Sequence, residues 1–118
     1  MRIRGVGRAE FAVTRRGAFA YADATMARLS DDEITERLAR LSGWELAGKA
    51  LRKSFDRGDF VGSVEFVRSI VGPAEEMNHH PDINISWSQV EVTLTTHSEG
   101  GLTDKDFELA AKIDELAG

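Results

Sequence analysis

The sequence predicts an α+β fold: a two-layer sandwich in which three helices pack on one face of a small, mostly antiparallel four-stranded sheet. A chain of 118 residues has room for one domain with its own core. Three of its segments place apolar residues at helical spacing, and four shorter segments alternate apolar with polar residues. These segments follow one another in the order α-β-β-α-β-β-α, which favours helices layered against an antiparallel sheet.

The first 25 residues carry only a weak pattern. The stretch EFAVTRRGAFAYA alternates enough for a marginal hairpin at Arg15 to Gly17, but it lacks a strong turn pair such as Asn-Gly. We therefore expect residues 1–25 to be an N-terminal extension, disordered or a marginal hairpin, ahead of one domain at 26–118. Translation could start at Met1 or at Met26.

The first helix is predicted within LSDDEITERLARLSGW. Ser30 is placed to cap it, and Glu33 completes a Ser-x-x-Glu capping box whose acidic first turn suits the helix dipole. Gly43 is expected to close the helix in the left-handed conformation that glycine tolerates. The predicted buried stripe consists of Ile34, Leu38 and Leu41.

A hairpin is predicted next, within WELAGKALRKSFDR. Leu51, Lys53 and Phe55 recur at every second position, as in a strand, and Gly48 separates the two halves.

The second helix is predicted within DFVGSVEFVRSIVGPAEEMNH and ends near a pair of histidines. Its apolar positions recur with a 3.6-residue period and are Phe60, Val64, Val67, Val71 and Ala74. Pro73 removes one backbone hydrogen bond inside this segment, so we expect the helix to be kinked or divided into two pieces.

Two strands follow the second helix. In SQVEVTLTT, Val90, Val92 and Leu94 alternate with polar residues, which indicates a strand with one face on the core. Ile83 and Ile85 mark a shorter strand before it.

The third helix is predicted within SEGGLTDKDFELAAKIDELAG. Thr103 is its expected N-cap, Asp106 occupies the reciprocal capping position, and Leu102 with Phe107 forms a hydrophobic staple. The predicted buried stripe consists of Leu109, Ile113 and Leu116.

The composition excludes several kinds of chemistry. The chain has no cysteine, which excludes disulfides, thiolate zinc sites and cysteine nucleophiles. Its apolar stretches are short and interrupted by charge, so we find neither a membrane span nor a signal peptide. We therefore expect a cytoplasmic protein.

The charge is distributed unevenly. The chain has a formal net charge of -5, but residues 1–25 contain five Arg against two acidic residues, so residues 26–118 carry -8. Nucleic-acid binding depends on Lys and Arg that neutralise phosphates. We therefore expect no direct binding of nucleic acid.

Three histidines fall within nineteen residues: His79 and His80 in EEMNHHPDINISW, and then His97. One interpretation is structural, because a charged His complements the negative end of a helix. A second is a metal site, but adjacent residues seldom point at one ion, and the i, i+4 His pair of zinc enzymes is missing. We therefore predict no metal ligands. The structural interpretation stays open together with a third, in which the histidines are catalytic.

The third interpretation is acid–base catalysis. Imidazole has an unperturbed pKa of about 6.5, so near neutral pH one His can donate a proton while another accepts one. Carboxylates at Glu75 and Asp106 could orient the rings and select their tautomers. Two histidines in opposite protonation states suit an elimination, in which water leaves one atom as a proton leaves its neighbour.

These residues resemble the signature of the pterin-4a-carbinolamine dehydratase family, and the resemblance covers residues 26–118. The shared pattern is Glu75, three residues, His79-His80-Pro81, an aromatic at Trp87, nine residues, His97, and Asp106 within GGLTDKD.

The resemblance implies a dehydratase that eliminates water from 4a-hydroxytetrahydropterin to give quinonoid dihydropterin. Such an enzyme recycles the pterin cofactor of aromatic amino acid hydroxylases such as phenylalanine hydroxylase. The resemblance also implies an α+β sandwich, a homodimer or homotetramer, and no metal or other cofactor. By the same resemblance the catalytic residues are His79, His80 and His97, and the supporting or substrate-binding residues are Glu75, Pro81, Trp87 and Asp106.

Several alternatives stay open. Trp87 either fills the core or stacks on the pterin, and Asp106 is a helix cap, a site residue or both. Pro73, Ile83 and Trp87 depart from the family's usual pattern. The rival functions are a non-catalytic protein-interaction module, since animal relatives double as dimerisation partners of a homeodomain transcription factor, and a relative acting on another pterin, as in molybdopterin metabolism.

Overall fold

A computed structural model describes residues 27–118, so the predicted extension and its hairpin at Arg15 to Gly17 lie outside the described residues. The elements, in chain order, are α1 Asp31–Leu38, β1 Glu45–Ala47, β2 Ala50–Asp56, α2 Phe60–Met77, β3 Asp82–Ser86, β4 Gln89–Leu94, a 3₁₀ turn His97–Glu99, and α3 Asp104–Ala117. The predicted order α-β-β-α-β-β-α is confirmed for this part of the chain.

The four strands form one antiparallel sheet in the order β1-β2-β4-β3. Ala47 pairs with Ala50, which leaves Gly48 and Lys49 as a two-residue hairpin turn, as predicted. Gly48 has a φ of 64°, in the left-handed region that such turns require. The second hairpin joins β3 to β4 through Trp87 and Ser88.

The core lies between the sheet and the helices that cover one of its faces. Burying a large apolar side chain contributes about 1.5 to 3 kcal/mol. The sheet contributes Leu51, Phe55, Val90, Val92 and Leu94, and the two longer helices contribute Phe66, Ile70, Ala74, Phe107, Leu109, Ala110 and Ile113. The predicted α+β two-layer sandwich, with three helices on one face, is confirmed.

Helix α1 begins as predicted and ends earlier than predicted. Ser30 and Glu33 form the expected capping box, with Glu33 N–H 3.2 Å from Ser30 Oγ and Ser30 N–H 2.9 Å from Glu33 Oε1. The helix ends at Leu38. Gly43 does have a left-handed φ of 83°, but it lies beyond the turns that follow the helix, so its predicted role as the helix end is wrong.

Helix α2 is one continuous helix that contains Pro73, so the predicted division into two pieces is wrong. The predicted buried stripe is also wrong at three positions: Phe60, Val64 and Val71 are 57%, 42% and 55% exposed. The residues of α2 that are buried are Ser63, Phe66, Ile70 and Ala74. The helix is apolar on both sides, and its period therefore did not identify the face that packs on the core.

The helices among residues 27–118 lack the combination of length and apolar character needed to cross a membrane.

Candidate active site

The chain makes a sharp turn where α2 meets the histidine pair. Asn78 follows the helix in the left-handed conformation, with φ 50° and ψ 45°, which Asn adopts more readily than most residues. The Asn78 N–H donates to the Glu75 carbonyl at 3.1 Å, and the His79 N–H donates to the Ala74 carbonyl at 3.0 Å. These bonds close the last turn of α2, and Asn78 thereby sets the directions in which the two histidines leave the helix.

His79 points into the protein and is only 8% exposed. Its Nε2 lies 2.6 Å from Oδ1 of Asp106, a residue with no exposed surface. An ionised carboxylate only accepts hydrogen bonds, so Nε2 carries the proton in this pair. The contact therefore selects the tautomer of His79.

Asp106 is the centre of a buried polar network. Its Oδ2 accepts from the Thr96 hydroxyl at 2.8 Å and from the Thr103 N–H at 2.9 Å. Because Thr96 uses its proton on Asp106, the Thr103 hydroxyl donates to Thr96 Oγ1 across the 2.9 Å between them. A buried carboxylate is costly unless its lone pairs are satisfied. Asp106 thus caps the start of α3 and holds His79 at once.

His80 points outward, and its ring also contacts a carboxylate. Its Nε2 lies 2.6 Å from Oε2 of Glu75, and the two side chains are 57% and 68% exposed. By the same donor argument, Nε2–H donates to the ionised Glu75. The Nδ1 atom of His80 makes no hydrogen bond to residues 27–118, so its hydrogen-bonding capacity is not used within this part of the chain.

His97 begins the 3₁₀ turn directly after Thr96. Its exposed side chain lines an open cavity of about 270 Å³, and neither His79 nor His80 does so. The other residues that line this cavity are Lys49, Ala50, Thr95, Gly100 and Gly101. Since Thr96 binds Asp106, the buried network extends from His79 to the residue that precedes His97.

Pro81 and Trp87 have different positions relative to the histidines. Pro81 lies between His80 and the first residue of β3. Trp87 is in the β3–β4 turn with a φ of 53° and is 69% exposed, so the interpretation that it fills the core is wrong. Its carbonyl accepts from the Ser63 hydroxyl at 2.6 Å. Ser63 is near the start of α2, about 21 Å along the helix from the end that carries the histidines.

Three contributors to this site were not predicted: Thr96, the Thr103 hydroxyl and Lys105. The Lys105 Nζ donates to the Met77 carbonyl at 3.2 Å, so consecutive residues of α3 contact the end of α2 and His79. The sequence indicates Asp106 both as a helix cap, by the Thr103-x-x-Asp106 spacing, and as a carboxylate that orients a histidine ring, but neither signal includes Thr96 or Lys105. Both His–carboxylate contacts are present, whereas the catalytic roles of these residues stay predictions.

No group of three or more His, Asp and Glu side chains among residues 27–118 is arranged to hold a metal ion.

The fold and the site together define a class: a small α+β protein with two histidine–carboxylate pairs at the end of one helix, suited to proton transfer. The particular family follows from comparison with known proteins. The chain belongs to the family described as Pterin 4 alpha carbinolamine dehydratase, whose profile matches residues 27–116.

Two bacterial relatives show the level of similarity. A protein of Thermosynechococcus vestitus, provisionally named a pterin-4-alpha-carbinolamine dehydratase, is 50% identical over 90 residues, which cover 76% of this chain and 95% of the relative. A Roseiflexus protein with the same provisional name is 51% identical over 89 residues, covering 75% of this chain and 96% of the relative.

Two solved structures resemble the fold. A transcriptional coactivator/pterin dehydratase from Brucella melitensis is 36% identical with a TM-score of 0.74, and the match covers 77% of this chain and 99% of that one. A pterin dehydratase-like protein described as a RuBisCO assembly factor in the alpha-carboxysome is 30% identical with a TM-score of 0.56, covering 65% of this chain and 92% of that one.

Proposed function

We propose that this protein is a hydro-lyase that dehydrates 4a-hydroxytetrahydropterin to quinonoid dihydropterin by histidine acid–base catalysis without a metal. The observation that carries the proposal is the exposed His80, whose Nε2 is held by Glu75 at 2.6 Å while its Nδ1 makes no hydrogen bond to residues 27–118. Membership of the family and the names of its relatives support a pterin as the substrate.

The reaction needs two proton transfers. The carbon–oxygen bond at C4a breaks as the hydroxyl takes up a proton and departs as water, and N5 loses a proton as the C4a–N5 double bond forms. An imidazolium supplies the first proton and a neutral imidazole accepts the second, each contributing a factor of about 10² to 10⁴.

The burial of the three histidines supports different roles for them. His80 and His97 are exposed and are therefore able to touch the substrate and exchange protons with it. His79 is buried on Asp106, and we assign it the task of holding the end of α2 and the Thr96 segment in place. The substrate then lies beside His80 and the cavity at His97, and the order of acid and base between these two is left open.

The reaction is tested by generating 4a-hydroxytetrahydropterin in situ and following its loss by ultraviolet absorbance after treatment of the protein with a chelator. We expect the purified chain to accelerate the loss and His80→Ala to remove most of that acceleration. Glu76→Ala serves as the control, because Glu76 is exposed beside Glu75 and makes no hydrogen bond to the histidines. A folded wild-type chain without acceleration would favour an interaction module or another pterin. Acceleration that disappears with the chelator would contradict metal independence.

A further inference from the structure

A second cavity adjoins the cavity at His97. It has a volume of about 380 Å³ and is formed by the start of α1, the β1–β2 hairpin and the residues between the 3₁₀ turn and α3. Three residues line both cavities: Lys49, Gly100 and Gly101. The two cavities therefore meet along one wall, and we call the second one the side cavity.

The side chain of Arg28 lies at this shared wall. A Cβ atom added at Gly101 would be 2.8 Å from Cδ of Arg28, and a Cβ atom added at Gly100 would be 3.9 Å from its Nη1. The Arg28 side chain therefore lies across both glycines. Its backbone is held nearby, because the Leu29 N–H donates to the Leu102 carbonyl at 2.8 Å.

Lys49 supplies a second cation at the same wall. It is the second residue of the β1–β2 turn, and its carbonyl accepts from the Thr95 hydroxyl at 2.7 Å. Thr95 itself lines the His97 cavity. Within residues 27–118, neither Lys49 nor Arg28 forms a salt bridge, so no carboxylate of this range neutralises either cation.

The charge of this region differs from that of the domain. Residues 26–118 carry -8, but the described residues that line the two cavities include two cations and one carboxylate, that of Asp31. Asp31 is in the first turn of α1, where the positive end of the helix dipole offsets its charge. The balance at the cavities is therefore positive and favours an anionic ligand.

The rest of the side cavity is largely apolar. Leu46 is 48% exposed there although its side chain is hydrophobic. The apolar lining residues are Leu29, Ile34, Leu46 and Leu102. Charges beside apolar surface attract an opposite charge more strongly than charges in open water, because the local dielectric constant is lower.

We propose that the side cavity binds an anionic group on the side chain of the substrate through Arg28 and Lys49. The inference rests on the proposed function in one respect, the binding of a pterin ring beside His97. Arginine presents paired N–H donors that match the oxygens of a phosphate or carboxylate, and lysine adds a point charge. The preferred substrate is then a pterin whose C6 substituent ends in an anion, rather than one with a neutral side chain.

Equilibrium binding of oxidised pterins tests this subsite without turnover, with quenching of pterin fluorescence as the measurement. The ligands are 6-hydroxymethylpterin, its phosphate ester and 6-carboxymethylpterin. We expect the phosphate ester to bind about tenfold or more tightly than the neutral ligand, the factor that one hydrogen bond between charged groups supplies. Equally tight binding of the carboxylate would show that the subsite accepts either anion, and weaker binding would show that it selects phosphate. The preference should shrink in high salt, which screens exposed charges.

Substitution of the two cations tests their roles. Arg28→Gln and Lys49→Gln should each lower the preference for the phosphate ester by about threefold or more, and the double variant should abolish it. The preference is a ratio of two dissociation constants in one variant, so a general loss of pterin binding cancels. Lys112→Gln is the matched control, because Lys112 is exposed on α3 and lines neither cavity. Circular dichroism checks that each variant is folded.

The proposal is overturned if the neutral and anionic ligands bind equally, if none of them binds, or if the double variant keeps the wild-type preference. The dehydration assay separates this result from the proposed reaction. A chain that prefers the anionic pterin but does not dehydrate its 4a-hydroxy form would overturn the reaction and support the subsite. Dehydration by a chain without the preference would overturn the subsite alone.

Discussion

His79 and His80 are adjacent in the chain, but their surroundings are opposite. His79 is 8% exposed and bound to a carboxylate that is itself fully buried, whereas the His80 side chain is 57% exposed and its Glu75 partner 68% exposed. Each ring contacts its carboxylate through Nε2 at 2.6 Å, so the local chemistry is the same. The difference lies in where each contact is found: the first belongs to the core, and the second to the exposed surface.

The largest effect is expected from removing the buried carboxylate. Asp106→Ala leaves His79, the Thr96 hydroxyl and the Thr103 N–H without their acceptor, and it should lower the free energy of unfolding by about 3 to 5 kcal/mol. Denaturant titration measures this loss. Glu108→Ala, at an exposed position of the same helix, is the control and should change stability little. Equal values for the two variants would contradict the network described for Asp106.

A comparison of the two histidines separates stability from catalysis. We expect His79→Ala to lower the free energy of unfolding by about 1 to 3 kcal/mol, because it leaves a buried carboxylate partly unsatisfied. His80→Ala should change it by no more than about 0.5 kcal/mol. In the dehydration assay, His80→Ala should reduce kcat roughly 10² to 10⁴-fold. Equal losses of stability in the two variants would contradict the claim that His79 supports the fold and His80 does not.

A smaller effect is expected at Glu75. Glu75→Gln keeps the size of the side chain but weakens the contact that orients His80, and an exposed pair of this kind is worth up to about 1 kcal/mol, or a fivefold change in rate. The measurement is kcat at fixed pH, with Glu76→Gln as the neighbouring control. A loss as large as that of His80→Ala would show that Glu75 itself takes part in proton transfer.

The smallest effect is expected at an exposed carboxylate far from the histidines in sequence. Hydrogen bonds from the Ser30 backbone and side chain lower the pKa of Glu33 below its ordinary value. A lowered folded-state pKa means that Glu33 stabilises the fold above its unfolded pKa and loses this contribution as pH falls through the folded value. Glu33→Gln removes the carboxylate but keeps the size of the side chain, and it should lower the free energy of unfolding slightly near neutral pH, where the wild-type carboxylate accepts from the Ser30 N–H. Thermal melts at several pH values should show the difference from wild type narrowing in acid, and a constant difference would contradict this linkage.

The elements that the sequence predicted well are those with local signals. The capping box before α1, the Asp106 cap on the Thr103 N–H before α3 and the Gly48 turn depend on residues a few positions apart, and all three are present. The two carboxylates that contact the histidines were also predicted, although Asp106 is 27 residues from His79. That contact came from the resemblance and the chemistry of tautomers, since no periodic pattern brings these positions together.

The predictions for α2 and Trp87 failed because tertiary contacts decided which of these side chains are buried. Ser63 is polar, but it is fully buried because its hydroxyl bonds to the Asp59 and Trp87 carbonyls. That preference turned apolar residues such as Val64 outward, and a hydrophobic period cannot detect it. The exposure of Trp87 likewise follows from a two-residue turn that an alternating pattern does not specify.

Asn78 ends α2 between Glu75 and the two histidines. If the helix continued, the two histidines would be about 100° apart on its surface, in directions fixed by the way the helix packs. The left-handed turn instead assigns one imidazole to the interior and frees its neighbour. The proton transfers proposed for His80 therefore take place outside the packed interior, and a repeated change of charge there imposes no repeated strain on the folded state.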